Sequence, residues 1–153
     1  MKNKNCIIVF NAEKKNHRNF LKEIRGFLNE KEINNTVCKL TETSSIESYK
    51  KEFHSEIKST DFVISMGGDG TLLFASRLFS TYSIPIIGTN LGNLGFITEI
   101  KKNELKEQLS DFLNDNFDIE KRMMLEAKVI RSGKKIAQYT ALNDFVVGKN
   151  SFA

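Results

Sequence analysis

Four strand-sized apolar runs, each followed by a stretch of helical or loop character, restrict what this chain can fold into more than anything else in it. Cys6-Ile7-Ile8-Val9-Phe10, closed by Asn11, is apolar on both faces and reads as a strand buried within a parallel sheet. The others are Thr36-Val37-Cys38-Lys39-Leu40, Phe62-Val63-Ile64-Ser65-Met66 and Ile84-Pro85-Ile86-Ile87-Gly88. After the first run, Phe20, Ile24, Phe27 and Leu28 recur at helical spacing among Lys, Glu and Asn, which gives one apolar helix face. After the second, residues 41–45 are rich in helix-capping types, and Ile46, Tyr49, Phe53 and Ile57 predict a single helix over 46–58. Leu72, Leu73, Ser76 and Leu78 mark a third helix beyond the third run. Strands alternating with helices are βαβ units, so the expected class is α/β. The architecture is a Rossmann-like parallel sheet with flanking helices and ligands outside the carboxyl ends of the strands.

The pattern changes after Asn103. Leu105, Leu109, Phe112 and Leu113 mark one more helix, and two extended stretches follow, 122–130 and 136–147, around the hairpin-turn sequence Arg131-Ser132-Gly133-Lys134. A boundary near Phe117 divides the expectation into an α/β nucleotide-binding domain, 1–117, and the first strands of an incomplete β-rich domain, 118–153. A lone hairpin is marginal in water, and the end at Ser151-Phe152-Ala153 reads as a truncated, all-β second domain.

Composition excludes several classes. No apolar run approaches the ~20 residues of a membrane helix, and the five-residue run after Met1-Lys2-Asn3-Lys4-Asn5 is too short for a secretory signal, so a cytoplasmic protein without a membrane partner is expected. The formal net charge of +4 suits a polyanionic ligand, but the lysines are interspersed with acidic residues and predict no nucleic-acid stripe. Cys6 and Cys38 read as buried reduced thiols. His17 and His54 read as exposed, and no cluster with metal-ligand spacing predicts a structural metal.

Three features carry chemistry. The first is Gly67-Gly68-Asp69-Gly70-Thr71 between a strand and a helix. Glycines let the backbone turn sharply and approach a phosphate or ribose, while the helix start presents unpaired amides. Asp69 either takes a proton from a hydroxyl or helps hold a phosphate-bridging cation, or it merely accepts hydrogen bonds from the start of the helix. The second is Gly88-Thr89-Asn90-Leu91-Gly92-Asn93-Leu94-Gly95-Phe96, where Phe96 is open to two readings, a ring for an adenine or a core aromatic. The third is Asn143-Asp144 inside an apolar strand-like run, there to bond ribose hydroxyls or to tie down a bend.

The segments Gly67 to Leu73, Gly88 to Thr98 and Leu142-Asn143-Asp144, in this order and approximate spacing, resemble the NAD kinase family. The resemblance covers all of this chain and about the N-terminal half of a typical member. Gly-Gly-Asp-Gly is shared with lipid kinases and phosphofructokinases, whereas the Asn90 to Phe96 loop and the Asn-Asp pair are similar to NAD kinases specifically. The resemblance implies transfer of a phosphoryl group from ATP or another donor to the 2′-hydroxyl of the adenosine ribose of NAD, with Mg²⁺ carried by the donor. It makes Asp69 the catalytic base with Gly70 beside it at the NAD site, and Gly67, Gly68, Gly70 and Thr71 the phosphate loop. Phe96 and Ile97 would border the adenine, and Asn143 and Asp144 would hold ribose hydroxyls. It also implies a homo-oligomer and a piece that is inactive alone. Many members have a basic residue where this chain has Phe74. Two other readings stand beside this one: a lipid or sugar kinase of the related superfamily, and a nucleotide-binding fragment without catalysis.

Overall fold

The structure, a computed structural model, describes residues 4–11, 15–41, 45–92 and 95–148. Asn93, Leu94 and the terminal Ser151-Phe152-Ala153 lie outside them. Among the described residues, five parallel strands form one sheet: β1 (Asn5–Asn11), β2 (Asn34–Leu40), β3 (Phe62–Gly67), β4 (Ile86–Asn90) and β5 (Ile100–Lys101). Their order is β2-β1-β3-β4-β5. The chain turns outward to β2 after β1 and then reverses to β3, so the sheet has a switch point between β1 and β3. In open α/β sheets ligands bind outside the carboxyl ends of the strands at such a point.

Helices cover both faces. On one side α1 (Lys15–Glu30) and α5 (Leu105–Leu113) lay Phe20, Ile24, Leu28, Leu105, Leu109 and Phe112 against Cys6, Ile8, Phe10, Phe62, Ile64 and Met66. On the other, α2 (Ile46–Glu52), α3 (His54–Ser59) and α4 (Asp69–Phe79) bring Tyr49, Phe53, Ile57, Ala75, Leu78 and Phe79 onto Ile7, Val9, Cys38 and Val63. Alternate residues of β1 and β3 therefore serve opposite cores, which is why both strands read as unbroken apolar runs. Each fully buried side chain of the Ile24 or Leu28 kind contributes about 1.5–3 kcal/mol relative to exposure. Cys6 and Cys38 are free thiols in opposite cores, and burial pushes both up to about 12, so neither is a thiolate at neutral pH.

Several expectations need correction. The helix over 46–58 is two helices, because Phe53 leaves the helical region (φ −103, ψ 24). That turn stacks its ring on Tyr49, 6.3 Å between centroids, while Ile57 still reaches the same core. The fourth strand starts at Ile86 rather than Ile84, since Pro85 has no N–H for the ladder and gives only its carbonyl, to Val63 N at 2.9 Å. The two-residue β5 has no sequence period to announce it. His17 is half-buried rather than exposed, its ring edge-on to Phe10 at 6.5 Å. His54 is exposed.

Beyond α5, β6 (Leu125–Arg131) and β7 (Lys134–Ala141) form a separate antiparallel sheet. Ser132 (φ 50) and Gly133 (φ 74) make the two-residue turn, and both sit in the left-handed region that hairpins of this length require. The strands are shorter than the stretches 122–130 and 136–147. Arg122 instead ion-pairs Glu120 at 2.8 Å and Glu99 at 3.8 Å, so β6 begins only at Leu125, whose partner is Ala141. Past Ala141 no ladder partner remains among the described residues, and β7 ends there. Leu125, Val129 and Tyr139, which share one face of the hairpin, are exposed.

Candidate functional site

Strand β3, buried along its whole length, delivers the chain to the carboxyl edge of the sheet beside the switch point. Gly67 ends it. A β-carbon there would overlap the side chain of Thr71, so a glycine is what lets α4 start so close to the strand. Gly68 is extended (φ −142, ψ −165) and Asp69 is the first residue of α4. Gly67 and Thr71 are buried, Gly68 and Asp69 half-buried, and Gly70 exposed.

The Asp69 carboxylate does not cap its own helix. It reaches across to the segment joining β4 and β5, where four donors converge on it. Its Oδ2 accepts from Phe96 N at 2.8 Å, and its Oδ1 from Thr98 Oγ1 at 2.8 Å, Thr98 N at 3.0 Å and Ile97 N at 3.3 Å. A β-carbon on Gly95 would collide with this carboxylate, so the loop comes this near only because residue 95 has none. Behind Thr98, Asn90 Nδ2 donates to Thr98 Oγ1 at 2.9 Å while Asn90 Oδ1 accepts from Gly92 N at 2.9 Å. The reading of Asp69 as a helix-start acceptor is thereby overturned: its partners lie 27 to 29 residues downstream.

Burial by itself would raise the Asp69 carboxyl, but the hydrogen bonds from the Thr98 hydroxyl and from the amides of Phe96, Thr98 and Ile97 outweigh it and hold the group below the usual carboxylate range. Asp69 is therefore an anion at neutral pH and a weak base. A folded-state pKa below the unfolded value of about 3.9 contributes stability in full above that value, and the contribution is lost as pH falls through the folded-state pKa. Urea midpoints of wild type and Asp69→Asn are therefore expected to differ at neutral pH and to converge only below about pH 4. A gap that stayed constant into strong acid would contradict this.

Of the remaining sequence candidates, Phe96 is fully exposed, which overturns its reading as a core aromatic, and Ile97 beside it is half-buried. Asn143 and Asp144 are exposed and lie beyond the end of β7, outside any strand; the expectation of a pair within a strand was wrong because the ladder stops at Ala141. Among the described residues neither joins the hydrogen bonds of Asp69, although β7 itself lies against α4, the helix that Asp69 opens. Phe74 turns toward Tyr49, 5.2 Å between centroids and edge-on, as part of the core beneath α4. Among the described residues no three His, Cys, Asp or Glu side chains come together as a metal site. Sequence reasoning placed Asn90, Gly95 and Thr98 in a glycine-rich segment but gave none of them a contact with Asp69. The one available signal was Asn90-Leu91-Gly92, whose types favour the side-chain-to-amide turn that Asn90 makes.

Fold and site together define a doubly wound α/β protein with an acidic glycine loop at its switch point. The sequence profile of the ATP-NAD kinase N-terminal domain matches residues 6–117. An NAD kinase of Treponema denticola is 37% identical over 150 residues, covering 98% of this chain and 50% of that protein. One from Heliobacterium modesticaldum is 34% identical over 142 residues, covering 93% and 50%. One from Natranaerobius thermophilus is 45% identical over 93 residues, covering 61% and 32%. The chain is also similar in fold to yeast NADH kinase complexed with NADH, with a TM-score of 0.72 at 18% identity over 94% of this chain and 48% of that one. This chain belongs to the NAD kinase family. It spans half or less of the length of these relatives.

Proposed function

We propose that this chain supplies the reacting carboxylate and part of the NAD site of an NAD kinase, which transfers a phosphoryl group from ATP to the 2′-hydroxyl of the adenosine ribose of NAD. The observation that carries the reading is the Asp69 carboxylate, held by four donors at the carboxyl edge of the sheet, next to an exposed aromatic ring. In the transfer, the 2′-oxygen bonds to the γ-phosphorus, the bond from that phosphorus to the β-phosphate oxygen breaks, ADP leaves, and the hydroxyl proton passes to Asp69. In the loose transition state of such transfers there is little covalent work for the protein, and most of the rate comes from alignment and charge stabilisation. A weak base held in a fixed place suits a proton that leaves late.

In this reading Gly67, Gly68, Gly70 and Thr71 form the loop that lets a phosphate or ribose approach the start of α4, whose free amides favour an anion. Phe96 and Ile97 border the adenine, and Asn143 and Asp144 meet ribose hydroxyls. Mg²⁺ belongs to the donor, carried on its phosphates rather than by a protein cage. A cytoplasmic homo-oligomer completes the proposal; two unpaired thiols in separate cores agree with a reducing compartment. Residues 1–117 act as the α/β domain and 118–153 as the start of a second, β-rich one.

The test is NADP formation from NAD, ATP and Mg²⁺, measured on this chain and on the product of the whole reading frame that contains it. Activity is expected in the whole product and not in the 153-residue chain by itself, because the relatives carry about as much sequence again. A whole product that phosphorylates a lipid and leaves NAD untouched would sink the proposal.

A further inference from the structure

A carboxylate offers about four lone-pair directions over its two oxygens. In Asp69 they are unequally used: Oδ1 takes three donors and Oδ2 takes one. Among the described residues, the acceptor capacity that remains is on Oδ2. Two of the three donors on Oδ1 belong to Thr98, which is 0% exposed.

The direction of these bonds is settled by the residue behind. Gly92 N–H fixes the carbonyl oxygen of the Asn90 side chain, so the amide nitrogen must face Thr98. Thr98 Oγ1 then has to accept from Asn90, which leaves its single proton for Asp69. Asn90 is itself only 5% exposed and cannot swing into solvent without leaving the core. The chain of bonds from Gly92 through Asn90 and Thr98 to Oδ1 thus has one internally consistent orientation.

We propose that Thr98, oriented by Asn90, is a positioning residue that saturates Oδ1 of Asp69 and so presents Oδ2 to the substrate hydroxyl. That the hydroxyl belongs to NAD rests on the kinase reading; the division of labour between the two oxygens does not. Phe96 N, the one donor on Oδ2 among the described residues, comes from the residue whose ring is open to solvent.

Thr98→Val deletes the hydroxyl while keeping shape and backbone amide, and Thr98→Ser restores the hydroxyl. In this chain, a carbon-detected NMR titration of the Asp69 carboxyl is expected to rise toward the ordinary carboxylate range in Thr98→Val and to stay at the wild-type value in Thr98→Ser. Should Thr98→Val not fold, Asn90→Ala, which leaves the Thr98 hydroxyl present but unoriented, is expected to give a smaller rise. In the whole product, kcat of Thr98→Val is expected to fall about 10- to 100-fold, the worth of one hydrogen bond to a charged group, with KM for NAD within about twofold and with rescue by Thr98→Ser. A wild-type titration in Thr98→Val, or a change confined to KM, would overturn the proposal. Wild-type product that makes no NADP would instead remove the kinase reading, and the titration would still decide the role of Thr98 toward Asp69.

Discussion

Gly95→Ala is expected to lower kcat/KM for NADP formation by the whole product about 100-fold or more, the cost of displacing a reacting group by about an ångström. Its new β-carbon would fall on Oδ1, Cγ and Oδ2 of Asp69 at once. Neither side has slack. The carboxylate stands on the first residue of α4 and is tied by four hydrogen bonds, and the loop is tied by the same bonds. Relief requires the carboxylate to rotate or the loop to lift, and either breaks the bond from Phe96 N first, because that residue adjoins the new methyl group. The objection is one of space alone: among the described glycines only Gly133 has a positive φ, so alanine has no backbone penalty at residue 95. Amide exchange at Phe96 and Ile97 should speed up in the same variant. Wild-type kinetics with unchanged exchange would mean that the close approach has no functional weight.

Asp69→Asn has an equally large expected effect for a different reason. Removing a positioned general base costs about 10²–10⁴-fold in rate, so kcat should fall by that factor with a smaller change in KM for NAD. The substitution is also not a neutral copy of the carboxylate. An amide has one acceptor oxygen, and every contact that Asp69 makes here is with a donor. With its oxygen toward Thr98 and Ile97, the new NH₂ faces Phe96 N–H; flipped, it faces three donors. The loop should therefore loosen together with the loss of chemistry, which makes Thr98→Val the cleaner probe of alignment. Activity within tenfold of wild type would remove Asp69 from the role of base.

What could be read from the sequence follows from what was local. β1, β3 and the faces of α1 and α5 announced themselves because burial on both sides of a strand, or one side of a helix, leaves a periodic trace in the residues themselves. The break at Phe53 left none: Ile46, Tyr49, Phe53 and Ile57 have the spacing of one continuous helix, and only a backbone angle separates α2 from α3. The end of β7 depended on where its partner began, at Leu125, a fact held elsewhere in the chain. That displaced Asn143 and Asp144 from the strand expected for them. The glycine loop around Asp69 was visible because glycines at a strand-to-helix junction have few other uses. Thr98 and Asn90 were not, since a threonine and an asparagine near a loop are ordinary residues until a carboxylate 29 positions upstream of the threonine is seen to accept from it.

Three of the four bonds that hold Asp69 come from main-chain amides, at Phe96, Ile97 and Thr98. A main-chain amide is encoded by any residue except proline. The side chains at 96 and 97 are thus free to be exchanged in the course of evolution or engineering, reshaping what the loop shows to a ligand while the carboxylate keeps its place. Within residues 95–98, positions 95 and 98 are the ones tied to a particular residue type, by the room for one atom and the presence of one hydroxyl. In the proposed kinase, selectivity and reactivity at this edge of the sheet are consequently written in separate letters, and a designer could revise the first without erasing the second.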